Sequence, residues 1–235
     1  MRVLAALALV IAALPSIAHA KTAKHKHATT GLHRADNMPP NWTWPPSPAM
    51  RAAGKKCLAK LDELGVKYKK ASAQKKINTP ITIPGMELGG LKLTSIWRNG
   101  PFVMDCDLAL TLETYGPVLT KLGVTELQFS RIYGYTNVRT GGTVKPFLSR
   151  HALGLAIDVY AFVDGDGNKH VVETDYPAGD QLLLDIEQAI NDSGGFRLCL
   201  TPRNDPKSHH DHFHLEANVI YPVAPPRVVT AARRR

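Results

Sequence analysis

Residues 209–216 read HHDHFHLE, which places four of the chain's ten histidines within six positions. Apolar residues alternate with the last histidines, a pattern that predicts a β-strand entering a core. On such a strand His210, His212 and His214 would point to one face, because successive side chains alternate. A surface run of histidine leaves the apolar partners unexplained, and each buried imidazole needs a polar partner. Metal coordination explains the run better, since neutral imidazole is a common zinc ligand.

A second stretch, residues 149–158 with the sequence SRHALGLAID, holds the other half of the pattern. His151 precedes the apolar run 156–163 (AIDVYAFV), which predicts a buried strand. Asp158 lies inside this run, where a carboxylate needs a cation or hydrogen-bond donors. An arginine would satisfy Asp158 alone, whereas a metal ion also accounts for His151 and the late histidines.

The remaining sequence predicts an α+β domain. Periodic apolar residues predict three helices, and Pro117 predicts a kink or break in the second of them; these helices cover 51–64, 105–122 and 179–191. Short apolar runs predict strands at 66–68, 81–96, 126–135, 156–163, 171–172, 196–200 and 213–219. The glycine-containing stretches 140–143 and 164–168 predict turns, and the acidic second one fits a hairpin better than a calcium loop. Because regular βαβ alternation is missing, α+β is the expected class.

The two ends of the chain differ in character from this domain. Residues 1–20 combine a positive start, an apolar run and an A-x-A site, which predicts a signal peptide. Residues 21–50, basic and then rich in proline, predict a linker, and 226–235 form a basic tail. The domain is therefore expected at 51–225. No later segment reaches about 18 apolar residues, so no membrane span is expected.

Charge and cysteine content narrow the function further. The net charge of +9 favours anionic polymers or membrane surfaces as partners. Nucleic acid is not expected, because the basic residues lack a recognition motif and interleaved aromatic residues. In an oxidising compartment Cys57, Cys106 and Cys199 would form one disulfide and leave one free thiol, and all three pairings stay open.

The pattern S-x-H-x-x-G-x-A-x-D at 149–158, followed by H-x-H at His212 and His214, resembles the signature of zinc D-Ala-D-Ala carboxypeptidases, murein endopeptidases and Hedgehog-type domains. Residues 51–222 look most like the extensin-like exported bacterial proteins of this superfamily. The resemblance implies an antiparallel sheet with flanking helices. It also implies a Zn²⁺ ion, bound by His151, Asp158 and His214.

The resemblance further implies a zinc metallopeptidase of the bacterial periplasm or exterior, acting on peptidoglycan stem peptides as a D,D-carboxypeptidase or D,D-endopeptidase. His209 is expected to transfer the proton, with Asp211 as second choice, and His212 to stabilise the oxyanion. Asp211 stands where one branch of the superfamily carries glutamate. The alternative is a non-hydrolytic zinc-binding envelope protein of the same fold, and a third hypothesis is a scaffold whose basic ends bind anionic polymer.

Substrate contacts are expected upstream of the first motif. Arg139 and Arg131 resemble, in position, the arginine by which relatives anchor substrate, and a guanidinium can grip a carboxylate at two points. The alternative for each is an ordinary surface arginine. Ser149 is expected to support the turn or the metal ligands, because no base is implied that would activate it as a nucleophile.

Overall fold

The computed structural model describes residues 37–140 and 143–223. The predicted signal peptide, the first part of the predicted linker and the basic tail lie outside the described residues. The same holds for residues 141–142 of the first predicted turn. Within the described residues, no helix has the length and apolar character that crossing a membrane requires.

Four α-helices lie in the described residues: α1 Pro48–Glu63, α2 Cys106–Thr120, α3 Val172–Asp175 and α4 Gln181–Ser193. The three longer ones begin at side-chain caps, in which Ser47, Asp105 and Asp180 accept hydrogen bonds from backbone N–H groups of the first turn. The predicted break at Pro117 does not occur, because α2 continues through that residue as one element. Gly194, with a φ of 67°, ends α4.

The strands of the described residues form three sheets. Their bounds are β1 Lys69–Lys70, β2 Pro80–Thr82, β3 Glu87–Leu88, β4 Leu91–Ser95, β5 Val103–Asp105, β6 Val124–Arg131, β7 Asn137–Thr140, β8 Thr143–Leu148, β9 Ala156–Asp164, β10 Lys169–Val171, β11 Phe196–Leu200 and β12 Phe213–Ala217. A seven-stranded sheet has the order β11-β12-β9-β6-β4-β3, with β10 also paired to β9; β1-β2-β5 and β7-β8 form the small sheets.

The α+β class is confirmed, but the expectation of an antiparallel sheet is wrong at one pairing. Strands β4 and β6 run parallel, whereas the other pairs of the large sheet are antiparallel. Helix α2 lies between these two strands in the chain and provides the crossover that a parallel pair needs. The large sheet is therefore mixed.

Strand β9 is the centre of the sheet. It pairs with β6 along one edge and with β12 and then β10 along the other. The hairpin between β9 and β10 confirms the turn interpretation of residues 164–168: Asp164 Oδ1 accepts hydrogen bonds from the backbone N–H groups of Asp166 and Asn168. Phe162 of β9 packs edge-on against Phe213 of β12 in the core.

One disulfide settles the cysteine alternatives. Cys57 of α1 bonds to Cys106 at the start of α2, and Cys199 is a buried free thiol in β11. The part of the predicted linker that the structure describes contacts the domain: Asn37 is buried, and Met50 has no exposed surface. The folded unit therefore begins before residue 51, the boundary taken from the sequence.

Candidate metal centre

The candidate site is built on a row of residues that crosses four neighbouring strands. His214 of β12 lies opposite Asp158 of β9 on one side and Leu200 of β11 on the other. Arg131 of β6 lies opposite Asp158 on the next strand. Directly opposed residues share a face of the sheet, so Arg131, Asp158 and His214 all face the same side.

Alternation along β12 separates this face from the core. Phe213, Leu215 and Ala217 are fully buried apolar residues, and the Phe213 ring packs edge-on against Phe162 and Tyr176. His214 and Glu216, which alternate with them, are buried on the opposite face. The strand can therefore bury three apolar side chains and still present two ionisable groups to the site.

His151 reaches the row from a short 3-10 helix, Arg150–Leu153, that precedes β9. Ser149 caps this helix, and its Oγ accepts a hydrogen bond from the His151 backbone N–H. Gly154 ends it with a φ of 67°, and a Cβ there would come within 2.7 Å of the Asp105 backbone nitrogen. Glycine is therefore required for the turn that leads from His151 into β9.

Three possible ligand atoms converge within hydrogen-bonding distance of one another. The Oδ1 atom of Asp158 lies 2.9 Å from His151 Nε2 and 2.7 Å from His214 Nδ1, and the two ring nitrogens are 3.1 Å apart. All three side chains are buried. A tetrahedral ion with bonds of about 2 Å holds its ligand atoms roughly 3.3 Å apart, so this spacing fits one divalent ion after small shifts.

In His151 and His214, the outer ring nitrogen, which is the one that points away from Asp158, is hydrogen-bonded to an acceptor. His151 Nδ1 donates to the backbone carbonyl of Ile132 at 2.8 Å, and His214 Nε2 donates to Glu216 Oε1 at 3.0 Å. In neutral imidazole a proton on the outer nitrogen leaves the lone pair on the inner one. Both lone pairs therefore point at Asp158, and the donor set fits a metal ion.

Two further histidines lie beside this inner cluster of His151, Asp158 and His214. The ligand atoms of His209, His212 and His214 lie within 4.8 Å of one another, so His214 belongs to both groups. His212 Nε2 lies 3.4 Å from Asp158 Oδ1. The expectation that His210 shares a strand face with His212 and His214 is wrong, because β12 begins only at Phe213 and His210 is exposed.

The two outer histidines each have a carboxylate partner. His209 Nδ1 lies 3.0 Å from Asp205 Oδ2, and the His209 backbone N–H donates to the Asp205 carbonyl. His212 Nδ1 lies 2.7 Å from Asp211 Oδ1. The Asp211 side chain is 44% exposed and does not line the cavity at the metal centre. Asp211 is thus placed to orient His212.

The electrostatics of the cluster favour a bound cation. Burial alone would raise the pKa of Asp158, yet contacts with the neighbouring histidines hold that pKa well below its usual range. Burial opposes protonation of His214, but hydrogen bonds to Asp158 and Glu216 outweigh it and raise its pKa to about 9. Asp158 and Glu216 therefore both stabilise a positive charge on the His214 ring. A metal ion can replace the proton on His214 Nδ1, the nitrogen that faces Asp158.

The pKa of His209 is shifted in the opposite direction from that of His214. Burial and the neighbouring imidazoles lower the pKa of His209 to about 3. The ring is therefore neutral near pH 7, with one nitrogen held by Asp205.

The sequence did not indicate the buried network behind His214. Arg197 Nε donates to Glu216 Oε2 at 2.8 Å, and Arg197 Nη2 donates to Asn37 Oδ1 at 3.1 Å. Arg150, which is fully buried and directed away from the cavity, donates its Nε to the Asn37 carbonyl. Burial alone would raise the pKa of Glu216, but His214 and the two guanidinium groups lower it to about 2. The one local sign of this network in the sequence was Glu216, which lies two residues after His214 and therefore on the same face of the strand.

A cavity of about 190 Å³ opens above the inner cluster. Arg131 and Arg139, the expected substrate contacts, and Ser149 line it together with the four histidines of the site. Asn37 also lines it. Two tyrosines that follow Arg131 in the sequence do not line this cavity. Tyr133 lines a different cavity, and Tyr135 is exposed, with the Lys75 ammonium group 3.8 Å from its ring centre.

These features define an α+β domain with a buried histidine and aspartate cluster that can hold a metal ion. The chain belongs to the family described as extensin-like protein C-terminus, which matches residues 55–221. Comparison with curated proteins and with solved structures gives no match.

Proposed function

We propose that this protein is an exported zinc-dependent hydrolase that cleaves peptide bonds in peptidoglycan. The observation that carries the proposal is the convergence of His151 Nε2, Asp158 Oδ1 and His214 Nδ1 at the floor of an open cavity. Two imidazoles and one carboxylate are a usual protein ligand set for catalytic zinc, which keeps a further position open. Manganese or cobalt can substitute at such a site.

A divalent ion at this site supplies Lewis acidity toward a peptide carbonyl and toward water. The protein's part is to hold the three ligand atoms, and it does so from β9, β12 and the 3-10 helix. The outer hydrogen bonds to Ile132 and Glu216 fix both ring orientations. Rigid ligands of this kind favour one geometry of the bound ion.

His209 is our proposed proton acceptor. Because its Nδ1 donates to Asp205, its Nε2 carries the lone pair, and the ring lines the cavity. His212 is held through Nδ1 by Asp211 and lies beside Asp158. Burial opposes its protonation, but the two carboxylates outweigh burial and raise the pKa of His212, and the protonated ring can donate from Nε2 to the oxyanion. Asp211, the second choice as base, acts in this arrangement through His212.

The cationic side of the cavity indicates the substrate class. Arg131 and Arg139 line it, and a guanidinium binds a carboxylate or carbonyl oxygen with two parallel hydrogen bonds. A peptide with a free carboxylate near the cleaved bond, such as a stem peptide ending in D-Ala-D-Ala, fits this arrangement. The arrangement is compatible with either carboxypeptidase or endopeptidase action on peptidoglycan. The signal peptide predicted at residues 1–20 supports a location outside the cytoplasm.

One observation favours a second candidate, a zinc-binding envelope protein without hydrolytic activity. The position three residues before His214 carries Asp211, whose carboxylate faces His212 instead of the cavity. If His209 does not accept the proton, the described residues of the cavity offer no carboxylate at that position to replace it.

The test uses mature protein purified without an affinity tag. We expect one equivalent of metal per chain by elemental analysis, and cleavage of defined muropeptides detected by mass spectrometry. A chelator should abolish cleavage, and added Zn²⁺ should restore it. Stoichiometric metal without cleavage would favour the non-hydrolytic candidate, and protein without stoichiometric metal would contradict both. The exposed His210→Ala variant is the matched control for loss of a histidine.

A further inference from the structure

A second cavity, of about 270 Å³, lies beside the metal-centred cavity and shares Arg131 with it. It forms where the parallel strands β4 and β6 end: Ser95 lies opposite Phe129, and the Ile96 backbone N–H donates to the Phe129 carbonyl at 3.0 Å. The loops that follow both strands supply much of its wall. Its lining includes Gln74, Ser95, Trp97, Arg98, Phe102 and Tyr133.

The backbone at residues 131–132 joins the two cavities. Ile132 lines the second cavity, and its carbonyl accepts the hydrogen bond from His151 Nδ1. Arg131 lies opposite the proposed ligand Asp158 and lines both cavities. A ligand that crosses Arg131 can therefore occupy both cavities at once.

The second cavity is cationic. Arg98 and Arg131 line it, and among the described residues no aspartate or glutamate does. The Arg98 guanidinium carbon lies 4.5 Å from the centre of the Phe102 ring, and Phe102 packs edge-on against the buried Phe129 at 4.9 Å. This stacking orients the guanidinium, whose Nη1 also donates a long hydrogen bond of 3.4 Å to the Asn99 carbonyl. A carboxylate fits the planar donor set of a guanidinium.

The rest of the wall suits the uncharged part of a peptide. The Trp97 side chain is 75% exposed and offers a large apolar surface at the rim. Gln74 and Ser95 provide neutral polar groups. Tyr133 Oη donates to the Lys75 carbonyl at 3.3 Å, which fixes one side of the cavity. Two guanidinium groups and an indole, in a cavity whose described lining holds no acid, favour a ligand with a carboxylate on an aliphatic stem.

We infer that the second cavity is a subsite for a carboxylate-bearing residue of the substrate peptide, remote from the cleaved bond. Arg98 binds the carboxylate, Trp97 covers the aliphatic stem, and Arg131 connects the subsite to the metal centre. The inference rests on the proposed function, because it extends the same acidic peptide into a neighbouring cavity.

The experiment measures binding, so it does not depend on cleavage. Zinc-loaded protein is titrated calorimetrically with a defined muropeptide that has free carboxylates, and with the same muropeptide after amidation of the carboxylates remote from the cleavable bond. Arg98→Gln removes the cation, and Arg51→Gln, on the exposed side of α1, is the matched control. In both peptides the amide that is expected to be cleaved is replaced by a non-hydrolysable isostere, and mass spectrometry confirms that the peptide stays intact during the titration.

We expect Arg98→Gln and amidation each to weaken binding about fivefold, the upper range for an exposed ion pair. Combining the two should cause no further loss, because both remove the same contact. Trp97→Ala should weaken both peptides alike. Equal weakening of both peptides by Arg98→Gln would overturn the inference, as would displacement of the peptide by peptide-free glycan strands. Wild-type protein that binds neither muropeptide would contradict the proposed function as well, whereas tight binding unaffected by Arg98→Gln would contradict the subsite alone.

Discussion

The inner cluster and the outer histidines contain the same kind of side chain on different kinds of support. His214 and Asp158 stand on paired strands, and the outer nitrogen of His151 binds a backbone carbonyl. His209 and His212 precede β12 and are held by carboxylates of nearby residues. The inner group is buried, whereas His212 is only partly so.

The difference separates two chemical tasks. Metal ligands must keep a fixed geometry, which paired strands and backbone hydrogen bonds provide. A group that accepts and returns a proton needs a neutral ring and access to substrate, which a segment at the cavity rim provides. The comparison therefore supports our proposal that the inner cluster binds the metal and the outer histidines transfer the proton, and each variant below tests one side of it.

The largest effect is expected from His214→Ala, which removes the residue that both groups share. It takes away one of three ligands and leaves Asp158 and Glu216 without their common partner. We expect metal affinity to fall by more than about a hundredfold, with loss of all turnover. Elemental analysis and chelator competition measure the first effect. A variant that keeps one equivalent of metal would move the ion to a different set of ligands.

His209→Ala should remove only the proton-transfer function proposed for the outer histidines and leave metal binding by the inner cluster intact. We expect metal content to stay at one equivalent and kcat to fall by about 10² to 10⁴, the usual contribution of a positioned acid or base. Single-turnover kinetics on a defined muropeptide give the rate, and elemental analysis gives the metal content. Retained turnover would transfer the proton acceptor's role to Asp211, acting through His212.

Local sequence patterns predicted the strand that carries Asp158 and grouped His151 and Asp158 with the late histidines, and the family resemblance singled out His214 among them. The apolar run at 156–163 corresponds to β9, because a strand buried in a sheet centre reads as nearly continuous apolar sequence. The predicted strand at 213–219 starts where β12 starts, at Phe213. The histidine alternation that extends back to residue 210 did not indicate pairing, because pairing with β9 begins only at Phe213.

The rest of the site depends on contacts that no local pattern encodes. Arg197 and Asn37 are separated by 160 residues, and the disulfide joins cysteines 49 residues apart. The parallel pairing of β4 with β6 likewise depends on how α2 packs. The apolar pattern of each strand would be the same in a parallel and in an antiparallel pair, so the sequence pattern does not distinguish the two. Hydrophobic periodicity defines elements, but it does not define which elements meet.

Glu216→Gln tests whether the negative charge of Glu216, behind His214, contributes to metal binding by the inner cluster. The amide can still accept a hydrogen bond from His214 Nε2, but the charge that faces His214 and Arg197 is lost. We expect metal affinity to fall by about 10- to 100-fold, as for other residues that orient a ligand. Chelator competition gives the affinity, and circular dichroism verifies the fold. Unchanged affinity would show that Glu216 serves Arg197 and Arg150 instead of the metal centre.

Arg139→Ala addresses substrate contact and should leave the metal untouched. Arg139 is exposed and lines the metal-centred cavity, so we expect KM to rise about fivefold while kcat changes little. Steady-state kinetics on a muropeptide with a free terminal carboxylate provide the measurement. If KM is unchanged, Arg131 is left as the anchor on this side of the cavity.

The smallest effect is expected from Asn37→Ala, which asks how far the inner cluster depends on residues before the segment that the family matches. Asn37 Oδ1 accepts from Arg197, and Arg197 in turn binds Glu216, which holds His214. The change also removes the hydrogen bond that Asn37 Nδ2 donates to the Leu148 carbonyl at 2.7 Å. Each lost bond costs about 1 kcal/mol, and since only the bond to Arg197 leads to the metal centre, we expect a lower Tm and a metal affinity weakened about threefold.

The control for Asn37→Ala comes from the same segment. Asn41 Nδ2 donates to the Tyr221 carbonyl at 2.7 Å, a bond of similar kind that does not involve Arg197. Glycine is the replacement there, because Asn41 has a φ of 62°. Asn41→Gly should lower Tm without changing metal affinity. Equal effects of both variants on metal affinity would mean that the segment acts through overall stability. An effect of Asn37→Ala alone would identify the chain Asn37–Arg197–Glu216 as the support of the metal-binding imidazole.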